Sequence, residues 1–169
     1  MQRIAPQITH KGFMPLEKDG VCFIKIPKVG STTANAVLKD ANGWCVCSNK
    51  AVDENWEFVA LIRHPVDRWL SGMAQWGSAA CHDRLSLEDS IDKMVFDVHT
   101  QPQSWWIKGV APTLFKLENI QKLWSYLDIT TEEHRNTRKP NSFVLEKKHE
   151  EKILSYYADD LHLWEVANG

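Results

Sequence analysis

Apolar residues along this chain fall into short continuous runs and helical stripes, and the two kinds alternate. Val21-Cys-Phe-Ile-Lys-Ile26, bounded by Gly20 and Pro27, has the length and composition of a buried strand, and Glu57-Phe-Val-Ala-Leu-Ile62 is a clearer one. After the first, a helix is expected from about Thr32 to Lys39, stopping near Asn42 and Gly43. After the second, Pro65 suits the first turn of a helix running through Val66 to Gln75. Trp44 to Ser48 reads as a further short strand, and Thr113 to Leu117 as a third core strand. Ser86-Leu-Glu-Asp89 has the form of a capping box opening a helix toward Val98. Ile120, Leu123, Trp124 and Leu127 recur on one helical face, and a helix from Glu146 to Leu161 carries the stripe Ile153, Leu154, Tyr157 and Leu161.

Strand, loop and helix in alternation imply an α/β domain of three layers, a mostly parallel sheet flanked by helices. No repeat, low-complexity tract or long linker divides the sequence, so residues 1–19 read as an N-terminal extension and 20–169 as a single domain. In such sheets ligands bind beyond the carboxyl ends of the strands. That directs attention to the segments after Ile26 and after Ile62.

Composition changes this picture little. With 169 residues, 43% of them apolar and 25% charged, the chain can bury a core as ordinary globular proteins do. Lys and Arg number 20 against 22 Asp and Glu, which excludes a broad basic field for nucleic acid or anionic membrane, so any anion site is built locally. The first dozen residues contain no apolar run of the secretory kind, and no run is long enough to span a bilayer; the expectation is a cytoplasmic protein. Cys22, Cys45, Cys47 and Cys81 lack the paired spacing of a zinc site and read as reduced, mostly buried thiols.

The loop Pro27-Lys-Val-Gly-Ser-Thr-Thr33 joins the first strand to its helix and has the chemistry of a phosphate cradle. Gly30 permits close backbone approach, the helix N-terminus offers positive partial charge, Ser31, Thr32 and Thr33 can donate to anionic oxygens, and Lys28 adds a full charge. An ordinary helix cap beside a surface lysine has the same composition. The nucleotide-triphosphate pattern, in which glycine precedes a Gly-Lys-Ser/Thr triplet, does not fit, because here the lysine comes before the glycine. No acidic strand end stands out to hold magnesium, and no metal is expected.

Ile26-Pro-Lys-Val-Gly-Ser-Thr-Thr33 resembles the Ile-Pro-Lys-Thr-Gly-x-Thr-Ser loop of carbohydrate sulfotransferases that use 3′-phosphoadenylyl sulfate (PAPS). Arg63-His-Pro-Val-Asp-Arg-Trp-Leu-Ser71 is similar to the Arg-x-Pro-x-x-Arg-x-x-Ser signature of the same family. The resemblance implies a P-loop NTPase-like sulfotransferase fold. It puts Lys28 on the bridging oxygen of the leaving group, the main chain of Val29 with Gly30, Ser31, Thr32 and Thr33 around the 5′-phosphosulfate, and Arg63 and Ser71 on the 3′-phosphate. A guanidinium at a strand end suits that task through paired donors, while Arg68 is expected to form a structural ion pair. Val29 departs from the usual threonine, His64 from an acidic residue and Met73 from an aromatic.

Later segments support order and extent: His99-Thr-Gln-Pro-Gln103, Phe115-Lys-Leu-Glu-Asn-Ile120 and His134-Arg-Asn-Thr-Arg-Lys139 are similar to elements of that family, carrying the resemblance over roughly residues 20 to 164. The implied reaction moves a sulfuryl group from PAPS to an acceptor hydroxyl or amine, on a carbohydrate or small molecule. Lys28 is the expected electrostatic catalyst and His99 the leading candidate for the base, with Glu54, His82 and Asp83 as others. Trp105 and Trp106 read as core. Family members in eukaryotic secretory pathways carry a membrane anchor; a chain without one fits a bacterial or viral origin. The alternatives are a P-loop-type kinase of a nucleotide or small molecule and a catalytically inactive nucleotide-binding module.

Overall fold

A computed structural model of the chain describes residues 13–41, 43–47, 55–79, 85–131 and 144–168. Five strands make one sheet in the order β3-β1-β2-β4-β5, where β1 is Leu16–Lys18, β2 Val21–Ile24, β3 Cys45–Val46, β4 Glu57–Ile62 and β5 Thr113–Lys116. The parallel expectation holds for β2, β4 and β5, whereas β1 runs antiparallel to both β2 and β3. The cause is the tight turn between β1 and β2. Asp19 (φ 50°) and Gly20 (φ 85°) are both left-handed, as a two-residue hairpin turn that matches the twist of its strands requires. The sheet therefore begins at Leu16, ahead of residue 20, where the domain was expected to start.

Phe58 to Ile62 of β4 are all buried, as are Cys22, Phe23 and Ile24 of β2. Successive strand residues point to opposite faces, so both faces of the sheet are covered at its centre. The helices are α1 (Ser31–Asp40), α2 (Pro65–Ala79), α3 (Leu87–Lys93), α4 (Gln103–Trp106), α5 (Ile120–Tyr126), α6 (Lys147–Tyr156) and α7 (Ala158–Val166). Helix α1 buries Thr33, Ala34, Val37 and Leu38, and α5 buries Leu123 and Trp124, against the main core. A second apolar cluster joins Val66, Trp69 and Met73 of α2 to Ile91 of α3, Met94, Ile153 of α6 and Tyr157. Burial of each such side chain contributes about 1.5–3 kcal/mol, so α2 is held firmly against this second cluster.

Two expected helices end early. Ser86 caps α3 by accepting the Asp89 N–H at 3.1 Å, but the helix stops at Lys93 rather than continuing toward Val98. Met94 turns left-handed there (φ 56°), and its carbonyl accepts from the Trp69 indole at 3.0 Å and the Tyr157 hydroxyl at 3.3 Å. The long helix expected over 146–161 is two, broken at Tyr157, whose backbone leaves the helical region (φ −101°, ψ 36°). Its buried phenol donates to the Thr100 carbonyl at 2.6 Å. Among the described residues no helix is long and apolar enough to cross a membrane.

Candidate functional site

Strands β2 and β4 are parallel neighbours, so the loops leaving their carboxyl ends open on the same edge of the sheet. The first loop is bent by two left-handed residues, Lys28 (φ 68°) and Gly30 (φ 79°). Glycine adopts that conformation freely, but for lysine it costs about 1–2 kcal/mol, an expense that local structure must offset. Lys28 is nonetheless 8% exposed, and its Nζ donates to Oε1 of Gln75 on α2 at 3.4 Å. Val29 is fully buried in the main core and anchors the loop, which leaves its main chain alone for any ligand. Gly30 stands at the N-cap of α1, its carbonyl accepting the Ala34 N–H at 3.0 Å, and the first turn of that helix contains no acidic residue. Lys25, where burial and the neighbouring Lys39 lower the pKa, adds to the positive character of this end.

Phe13, Pro27, Lys28, Gly30, Ser31, Thr32, Gln75 and His99 line a cleft of about 160 Å³. The structure thus brings Lys28, Gly30, Ser31, Thr32 and His99 to one cavity, although His99 lies far along the chain. Thr33 is buried beneath this lining, and Arg63 and Ser71 lie outside it. Arg63 is half-buried just beyond β4, and its guanidinium makes no ion pair among the described residues. Ser71 is only 4% exposed on α2.

His99 is fixed by contacts to its main chain and to its ring. Both oxygens of Asp97 engage it: Oδ1 accepts the His99 main-chain N–H at 2.8 Å, and Oδ2 lies 3.0 Å from Nδ1 of the ring. Thr100, fully buried, closes the same turn by accepting the Phe96 N–H at 2.8 Å and the Asp97 N–H at 3.2 Å. Phe13 meets the imidazole edge to face at 6.0 Å. Helix α2 presses on the turn from the other side through Gly72, where a Cβ would fall 2.7 Å from the His99 carbonyl oxygen.

Arg68 joins the two halves of the cleft. Its Nε donates to the Pro27 carbonyl at 3.0 Å and its Nη1 to the Gln101 carbonyl at 2.6 Å. The ion pair expected of this residue is replaced by main-chain bonds; among the described residues the guanidinium makes no salt bridge. Burial pulls its pKa down to about 10, against the opposing pull of Asp160. Behind Arg63, Gln103 is fully buried and takes the arginine's main chain on both sides, accepting its N–H and donating to its carbonyl, each at 2.9 Å. Asp160 of α7 then accepts the N–H groups of Gln103 and Ser104 at 2.7 and 2.9 Å, holding the first turn of α4.

Sequence reading missed Phe13, Gln75, Asp97, Gln103 and Asp160 as shapers of this region. Only Asp97 carried a local signal, the Asp-x-His spacing. His64, at the head of the second loop, packs edge to face on Trp164 at 4.9 Å, and Met73 belongs to the second core. Trp106 is fully buried, as expected, while Trp105 is 36% exposed. Burial pushes the thiols of Cys22 and Cys47 up to about 12, which keeps them protonated and poor nucleophiles. Among the described residues no group of three metal-ligating side chains gathers. Glu54, Cys81, His82, Asp83 and the His134–Lys139 segment lie outside the described residues. No protein-family model, curated protein or solved structure significantly matches this chain.

Proposed function

We propose that this chain is a sulfotransferase of P-loop-like fold, moving the sulfuryl group of PAPS to a hydroxyl or amine of a carbohydrate or small molecule. The observation that carries the reading is the shared cleft: a buried lysine in a strained loop, a glycine-capped helix start with two hydroxyl residues, and a histidine held by a carboxylate. The nucleotide's phosphosulfate lies against Gly30, Ser31 and Thr32, and Arg63 at the neighbouring strand end takes the 3′-phosphate.

The acceptor oxygen or nitrogen attacks sulfur as the bond from sulfur to the bridging oxygen breaks. Negative charge grows on that oxygen, and Lys28 stabilises it as it leaves with adenosine 3′,5′-bisphosphate. The acceptor's proton passes to His99. In this reading Lys28 acts mainly on the transition state and Arg63 mainly on nucleotide affinity. That division separates transfer chemistry from mere phosphate binding.

Calorimetric titration with adenosine 3′,5′-bisphosphate and with ATP, followed by transfer of radiolabelled sulfate from PAPS to a panel of sugars, phenols and amines, tests the reading. Tighter binding of the bisphosphate together with labelled product is the expected result. Preference for ATP overturns it in favour of a kinase, and bisphosphate binding without transfer to any acceptor leaves an inactive binding module.

A further inference from the structure

We infer that Asp97 is the positioning residue that makes His99 a base, an assignment that rests on the sulfuryl-transfer reading of the cleft. An ionised carboxylate only accepts hydrogen bonds, so at 3.0 Å from Oδ2 the Nδ1 of His99 must carry the proton. The neutral ring then has its lone pair on Nε2, which makes no hydrogen bond among the described residues. His99 lines the cleft, and Nε2 is the nitrogen it has to offer there.

The hold on the ring is over-determined. Asp97 grips the main chain and the side chain of His99 with separate oxygens, Thr100 braces the Asp97 main chain, and Phe13 packs against the imidazole. Gly72 admits the His99 carbonyl so close to α2 that the turn has no room to slide. A surface histidine needs none of this, whereas a base that must present one nitrogen in one tautomer needs all of it. During transfer the new bond to sulfur forms, the bridging bond breaks, and the acceptor's proton moves to Nε2 while Nδ1–H stays on the ring and keeps donating to Asp97. The imidazolium so formed faces a carboxylate, which stabilises it where it appears.

The test uses the full chain with Asp97→Asn and Asp97→Glu, reading the His99 tautomer by nitrogen-15 NMR and transfer by radiolabelled PAPS. In the unaltered protein the neutral ring is expected as the Nδ1–H form alone; in Asp97→Asn both tautomers appear. kcat is expected to fall about 100- to 10,000-fold while the KM for PAPS stays within about twofold, and Asp97→Glu recovers part of the loss. An Nε2–H tautomer in the unaltered protein overturns the inference with no variant needed, as does an Asp97→Asn chain with unchanged kcat. If no acceptor is sulfated, the transfer reading falls by itself, and the tautomer measurement still decides whether Asp97 orients the ring.

Discussion

Arg68 donates its Nε–H to the carbonyl of Pro27 at 3.0 Å, on the residue that immediately precedes the strained Lys28. Its other bond reaches Gln101, two residues beyond His99, so one guanidinium spans both sides of the cleft. Hydrogen bonds to charged groups contribute about 1.5–3 kcal/mol each, and Arg68→Ala also opens a cavity under the loop. The variant is expected to lose about 3–5 kcal/mol in urea unfolding, while Arg68→Lys, unable to reach both carbonyls, loses about half of that.

Lys28→Ala and Lys28→Gly separate the amine from the backbone. Both remove the ammonium and are expected to slow sulfate transfer about 100- to 1,000-fold with little change in bisphosphate affinity. Only glycine relieves the left-handed conformation, so Lys28→Gly should unfold about 1 kcal/mol later than Lys28→Ala. Equal stability of the two would show that the loop relaxes when the lysine is removed.

Arg63→Ala is expected to act on binding instead, weakening adenosine 3′,5′-bisphosphate about 10- to 100-fold by calorimetry, with a smaller effect on the rate at saturating PAPS. Because Gln103 holds Arg63 by its main chain, the side chain can be removed without disturbing the strand end. An unchanged affinity would separate Arg63 from the nucleotide.

Gly72→Ala places a methyl 2.7 Å from the His99 carbonyl oxygen. Alanine gains about 1 kcal/mol of helix propensity, but a contact that close forces the backbone to move, at about 1–3 kcal/mol. Net destabilisation of about 0–2 kcal/mol is expected, with transfer falling further than stability because the displaced turn carries His99. Thermal unfolding and kcat, measured on the same samples, check both.

Stability should decline in mild alkali. Burial raises Cys22 from an ordinary 9.0 to about 12, so above pH 9 the unfolded thiol loses its proton while the folded one keeps it. The unfolded state then binds fewer protons, and stability falls as pH rises toward the folded value. Near pH 10 the loss through Cys22 is about 1.4 kcal/mol, and Tyr157, raised by burial, adds to it in the same direction. Denaturant unfolding in reducing buffer between about pH 8 and pH 10 should show the decline, and Cys22→Ala should lessen it, leaving the share that Cys47 and Tyr157 contribute in the same direction.

What the sequence discloses is set by how local the cause is. β4 spans Glu57–Ile62 as its apolar run implies, because a strand buried on both faces leaves an unbroken signature. The break at Tyr157 left no such mark: Ile153, Tyr157 and Leu161 stay in helical phase across it, and periodicity is blind to one residue's change of φ and ψ. The first hairpin is marked by its Asp-Gly pair, but only the strand after it is an apolar run, and the three residues of β1 before it, Leu16-Glu-Lys18, carry no strand signature. The lysine, glycine and hydroxyl residues of the cleft stand in one segment and could be picked out there. Asp160 reaches Gln103 across 57 residues, and pairings of that kind belong to the folded chain alone.

Asp160 also sets an order of events. Gln103 fixes the main chain of Arg63, and the α7 carboxylate fixes the turn that carries Gln103. As the chain leaves the ribosome, Arg63 and both of its flanking elements emerge long before Asp160 does. A nascent chain can therefore hold the whole loop after β2 and the second strand end and still lack the fastening behind its arginine; the two halves of the cleft region come into register only after the α7 segment has been delivered.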